Sequence, residues 1–179
     1  MTMTGKTWPQ WPEAQRSGNL TAEDYREDDY RYVVFAQWAV CQQLGIISQE
    51  RCKLYLDLSV GASGSSYDVW RFQRDFVRGV DIGAPPDDLF QGGQNWALPP
   101  LHPQRARAGG HAYFARCVRN HMRYAGVLRI DHVMGLARLW WVPAGMKATE
   151  GAYVRYPLDD LMGIVALESH RNRCLVIGE

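Results

Sequence analysis

Three short apolar runs, each carrying an acid near its C-terminal end, constrain this chain more than any other feature. Leu54-Tyr55-Leu56-Asp57-Leu58-Ser59-Val60 alternates strictly, Val127 to Val133 carries Asp131, and Cys174-Leu175-Val176-Ile177-Gly178-Glu179 ends on an acid. Alternation at period two, or a short apolar run, reads as a strand. Segments of helical spacing separate them. Phe114, Cys117, Val118 and His121 mark one helix stopped by Gly126, and Leu161, Ile164, Val165 and Leu167 mark another that opens at Pro157. An earlier helix is predicted from Asp29 to Leu44, with Gly45 as its C-cap. Helix, strand, helix, strand, helix, strand is the order of βα units around a parallel sheet, so the fold class is α/β.

Within each run the acid keeps fixed company. Tyr55, Asp57 and Ser59 share a face, as do Val127, Arg129 and Asp131, and Leu175, Ile177 and Glu179. A carboxylate inside a sheet costs several kcal/mol unless it is paired or opens onto solvent. The carboxyl end of a parallel barrel is where active-site groups sit. Asp57 fits a helix cap or a structural pair as well as it fits a site. Asp131 stands apart, because Arg129 points the same way and favours the ionised form that a nucleophile needs.

The remainder is less patterned. Gly61 to Gly110 reads as a long loop with one helical hint at Asp68 to Val77, and a short helix is predicted over Met134 to Trp141. Long loops at strand ends are functional more often than idle. Trp96 beside Gln94 and Asn95 offers an aromatic face and amides, the chemistry that meets a sugar, although the ring could equally plug the loop onto the barrel. Trp8 and Trp11 lie in a polar stretch and read as the end of a loop without its packing partner. Cys41, Cys52, Cys117 and Cys174 form no CxxC pair, so neither metal spacing nor a disulfide framework is expected. Their apolar neighbours predict buried free thiols in a reducing compartment. A formal net charge of +1 over 179 residues offers no electrostatic footprint for nucleic acid or an anionic membrane. No run approaches the roughly 20 apolar residues of a spanning helix, and Met1 to Leu20 lacks the plan of a secretory signal. Neither a GxGxxG nor a P-loop is present.

Read in order, Gly83-Ala84-Pro85-Pro86-Asp87, Gly93-Gln94-Asn95-Trp96, Leu128-Arg129-Ile130-Asp131-His132 and Val176-Ile177-Gly178-Glu179 resemble the motif series of the 4-α-glucanotransferases, or amylomaltases, of glycoside hydrolase family 77. The resemblance is closest to the proteobacterial maltodextrin-utilisation type and extends to Trp8–Pro12, Leu54–Gly61, Leu139–Pro143 and Gly151–Val154. It implies a (β/α)₈ TIM barrel of which this chain is part, about strands three to five with their helices and a long active-site loop. Residues 1–179 are then an internal portion of the catalytic domain, with further strands expected on both sides.

The resemblance also implies roles. Asp131 matches the nucleophile, Glu179 the general acid/base and Arg129 the arginine that orients the nucleophile, while Asp87, Gln94, Trp96 and His132 match glucan-subsite positions. The implied reaction is a retaining double displacement between maltodextrins and glucose acceptors, in the cytoplasm, without metal or cofactor. Hydrolysis by the same acids, and a non-catalytic glucan-binding remnant, are the alternatives. Ala97 departs from the family's usual glycine, and Val133-Met134-Gly135 from its frequent Phe-Arg-Gly. The third carboxylate of the family falls after Glu179, and three strands cannot close a barrel, so the chain alone is expected not to catalyse transfer.

Overall fold

The computed structural model describes residues 2–3 and 5–179; Met1 and Thr4, at the start of the segment read as a loop end, lie outside the described residues. The elements in chain order are β1 (Thr2–Met3), β2 (Lys6–Thr7), α1 (Glu13–Arg16), α2 (Glu27–Ile47), β3 (Leu54–Leu58), α3 (Tyr67–Arg71), β4 (Val80–Ala84), β5 (Gln94–Leu98), α4 (Pro103–Ala108), α5 (Ala112–Met122), β6 (Ala125–Ile130), β7 (Arg138–Pro143), β8 (Ala152–Arg155), α6 (Leu158–Asn172) and β9 (Leu175–Gly178).

The three acid-bearing runs form one parallel sheet in the order β3-β6-β9. Tyr55, Val127 and Leu175 stand in register, as do Asp57, Arg129 and Ile177. Each βαβ crossover returns through a helix, α5 before β6 and α6 before β9. Those helices cover one face of the sheet, where Leu58, Val118, Met122, Leu128, Ile130, Val165 and Cys174 form a buried core. The opposite face carries Tyr55, Leu175 and Ile177, all exposed.

Both crossovers make long excursions from the C-terminal ends of β3 and β6 before reaching their helices. These excursions meet in a four-stranded antiparallel sheet ordered β5-β4-β7-β8. The stretch predicted as loop between Gly61 and Gly110 therefore contains β4, β5, α3 and α4. The helix predicted over 134–141 is instead a 3₁₀ turn at Val133–Leu136 followed by strand β7. Leu139 and Val142 of β7 are buried, and Ile82 of β4 lies opposite Trp141. Cross-strand partners, not local propensity, decide this segment.

Trp8 and Trp11 do have a partner. They are buried against Val69, Trp70 and Phe76, with Trp8 Nε1 donating to the Gly64 carbonyl at 2.9 Å and Trp70 Nε1 to that of Gln15 at 3.0 Å. Helix α2 runs through Gly45 to Ile47, and Ser48 caps it with Oγ donating to the Gly45 carbonyl. None of its residues is buried; Phe35, Trp38 and Ile46 are exposed. The four cysteines are free as expected, but Cys41 and Cys52 are exposed, Cys117 is half-buried, and Cys174 alone is buried. Among the described residues no helix is long and apolar enough to cross a membrane.

Candidate active site

Arg129 occupies the middle strand of the parallel sheet, and its guanidinium joins three acids. Nη1 donates to both oxygens of Asp57, at 2.7 and 2.8 Å, Nη2 to Asp131 Oδ1 at 2.9 Å, and Nε to Glu179 Oε2 at 2.5 Å. The arginine side chain is 21% exposed while those of Asp57, Asp131 and Glu179 are 55%, 41% and 70% exposed, so one enclosed cation is ringed by open carboxylates. The three acids come from three adjacent strands because each stands at the C-terminal end of its own. Asp131 N donates to the Leu58 carbonyl at 3.0 Å, Glu179 N to that of Ile130 at 3.2 Å, and Val133 N to that of Glu179 at 2.7 Å. These bonds extend the parallel ladder past the last strand residues and fix both acids' backbone.

The electrostatics follow from the contacts. Its hydrogen bonds to the accepting carboxylates of Glu179 and Asp57 hold the Arg129 guanidinium protonated more firmly than usual. In return the Arg129 hydrogen bond, and then its charge, hold the Glu179 carboxyl below its ordinary range. A general acid requires the opposite shift, so Glu179 as placed is an ionised carboxylate.

His132 follows Asp131 with φ +51°, a left-handed conformation more common for His, Asn and Asp than for other side chains. The Trp96 ring meets its imidazole edge-on, with centroids 5.0 Å apart. Burial lowers the His132 pKa, against the raising effect of Asp131, and favours a neutral ring. Trp96 is fixed in turn, since its Nε1 donates to Gln94 Oε1 at 3.1 Å. Strand β5 continues past it with a shift in its register against β4. Ala97, at φ +56°, donates its N–H to Asn95 Oδ1 at 2.8 Å, and Asn95 Nδ2 donates to Asp81 at 3.1 Å.

Asp131, Glu179 and Arg129 thus meet in one cluster, with His132, Trp96 and Gln94 joined in a chain that begins beside Asp131. Asp87 joins neither group. Its Oδ1 accepts from the backbone N–H of Leu89 and Phe90, at 2.9 and 2.6 Å, and closes its own turn. Asp57, left open between cap and site, belongs to the cluster, because the register of β3 against β6 puts it opposite Arg129. Among the described residues no group of three His, Cys, Asp or Glu side chains is arranged to hold a metal ion.

Residues 1–179 match the sequence profile of the 4-alpha-glucanotransferase family, glycoside hydrolase family 77. The chain belongs to this family. It is 44% identical to a 4-alpha-glucanotransferase of Haemophilus influenzae over 97% of its length, and 37% identical to one of Mycobacterium tuberculosis over 98%. It covers 25% and 26% of those relatives' own lengths. The fold superimposes on amylomaltase from Corynebacterium glutamicum with a TM-score of 0.79, at 29% identity, over 93% of this chain and 25% of that one. Amylomaltase from Streptococcus agalactiae, solved with acarbose, gives a TM-score of 0.83 at 19% identity, over 99% of this chain and 39% of that one. These neighbours agree with the expected fold: an α/β segment of a TIM barrel.

Proposed function

We propose that the protein to which this chain belongs moves α-1,4-glucan segments between maltodextrins by retaining double displacement, with Asp131 as nucleophile and Glu179 as acid and base. The observation that carries this reading is the single Arg129 guanidinium gathering Asp131 and Glu179 from neighbouring strand ends, beside an aromatic and amide wall of Trp96 and Gln94. Asp131 Oδ attacks the anomeric carbon as the glycosidic C–O bond breaks, and Glu179 gives its proton to the departing oxygen. A covalent glycosyl-enzyme results. Glu179, now ionised, takes the proton of an acceptor 4-hydroxyl, whose oxygen displaces Asp131 from the same carbon.

Arg129 holds the nucleophile in place through the hydrogen bond from Nη2 to Asp131 Oδ1. The same side chain holds Glu179 ionised, so the carboxyl takes up its proton only after leaving the guanidinium, and a glucan entering between them is what separates the two. His132, Trp96 and Gln94 line the adjoining subsites in this reading; Asp87 serves through the turn it closes. The parallel strands are the third to fifth of an eight-stranded barrel, whose other strands lie in the length that this chain does not span. Maltodextrins and glucose are the partners, and the free cysteines support a cytoplasmic setting.

Disproportionation of maltotriose tests the reading in an enzyme of the relatives' full length. Asp131→Asn and Glu179→Gln should each lower transfer by about a thousandfold or more. Unchanged transfer in both variants would remove these acids from the chemistry, no transfer by the unsubstituted enzyme would leave a glucan-binding protein, and glucose with maltose but no longer oligomers would indicate hydrolysis. The isolated 179-residue chain should show no transfer; measurable turnover by it would overturn the need for a closed barrel.

A further inference from the structure

A cavity of about 250 Å³ lies between the parallel sheet, helix α5 and the antiparallel sheet. Its lining includes Asp131 and His132, but most of it is outside the cluster around Arg129. Leu58 and Ile130 come from the parallel strands, Phe114 and His121 from α5, and Ile82 and Leu139 from the opposite sheet.

The walls are mainly apolar, and beyond Asp131 and His132 their polar groups are Ser59, Asp68 and Tyr156 together with His111, Tyr113, Cys117 and His121. His111, nearly buried, has Nε2 at 3.3 Å from Asp160 Oδ2. Burial, then Cys117 and Asp68, push the Tyr113 hydroxyl far above its ordinary range, and burial pushes the Cys117 thiol up, so both keep their protons. His121 Nδ1 lies 2.8 Å from the Cys117 carbonyl, which only accepts, so Nδ1 carries the proton. Its Nε2 is left as an acceptor without a partner among the described residues.

We infer that this cavity is a second binding site, for a small neutral aromatic molecule bearing one hydroxyl or N–H group that donates to His121 Nε2. The volume suits one ring, since an apolar cavity of about 150 Å³ already takes benzene. A glucose unit does not suit it. The polar side chains are a minority of the lining, so most hydroxyls around the sugar's rim would face apolar walls, and each one left unpaired costs about 1–3 kcal/mol. The occupant is thus distinct in chemistry from the glucans of the proposed reaction. It would lie against Leu58 and Ile130, whose strands carry Asp57 and Asp131.

Titration of the transferase at the relatives' full length with phenol and with toluene, followed by ligand-observed NMR, tests this. Phenol should saturate one site with a dissociation constant on the order of 1 mM or tighter, and toluene should bind several-fold more weakly. Ala106→Leu on α4 narrows the cavity and should weaken both by about tenfold; Leu139→Phe, on the opposite wall, should do the same if the first variant folds poorly. His121→Phe should bring phenol down to the affinity of toluene and leave toluene within about twofold. Absence of saturable phenol binding, indifference to both filling variants, or displacement of phenol by maltotriose would each overturn the assignment, the last by placing the ligand at the glucan residues.

Discussion

Asp57 and Arg129 stand opposite each other on adjacent parallel strands, and both Asp57 oxygens accept from one guanidinium nitrogen, at 2.7 and 2.8 Å. With Asp57 half in solvent, this pair contributes at most about 1 kcal/mol to folding. Its effect on geometry is larger, because Nη1 is anchored while Nη2 and Nε hold the two acids assigned to chemistry. Asp57→Asn should therefore shift the melting temperature little but lower kcat of the full-length transferase by about 10–100-fold. Steady-state kinetics beside thermal denaturation separates the two effects.

Ala97 holds a left-handed conformation, with φ +56°. The methyl group costs about 1 kcal/mol there, offset in part by the greater chain entropy of glycine. Ala97→Gly should raise stability by about 0.5 kcal/mol, read as a small rise in the denaturant midpoint, without altering Trp96 fluorescence.

Gly83 opens the Gly-Ala-Pro-Pro-Asp motif for a steric reason. A Cβ at this position would sit 2.0 Å from the Gln94 carbonyl oxygen of β5 and 3.2 Å from Val142 of β7. Gly83→Ala should cost about 2 kcal/mol or more and displace the strand that carries Gln94 and Trp96. Chemical denaturation measures the first effect and weaker maltotriose protection of Trp96 from quenching the second.

Glu168 is buried at 2% exposure on α6, yet ionised. The Arg119 hydrogen bonds from α5, chiefly, and Arg171 hold its carboxyl below the ordinary range against the opposing effect of burial. A depressed folded-state pKa adds stability that is complete above the unfolded value near 4.3 and is lost as pH falls through the lower folded value. Arg119→Ala should destabilise by about 2 kcal/mol at pH 7 and flatten the fall in stability below about pH 4.3. Urea titrations at pH 7 and pH 3.5 give both numbers.

The parallel sheet was legible because its periodicity is local. Leu54 to Leu58 alternates, the α5 face repeats on schedule, and each strand's acid could be placed on a face by parity alone; on α6 Leu161 and Val165 are buried as expected, but Leu167 is exposed and Glu168 takes the buried place. Register could not be read this way, and register is what turns Arg129 toward three acids at once. The antiparallel sheet was illegible for the same reason: β4 and β7 are short, lie far apart in sequence, and gain their regularity from each other. Trp8 finds its acceptor at Gly64 and its packing at Val69, a distance that no local window spans. Asp87 illustrates the converse: the contacts of its Oδ1, to the N–H groups of Leu89 and Phe90, lie within three residues of it.

Strands β3 and β9 are both outer strands of their sheet, and α2 presents Phe35, Trp38 and Ile46 to water. A formal charge of +1 gives copies of the chain almost no mutual repulsion at neutral pH. Free backbone edges, a greasy helix and weak repulsion together describe a poor colloid. In solution the chain should self-associate as concentration rises, most readily near neutrality, and a solubilising partner or added surface acids should keep it dispersed long enough to titrate.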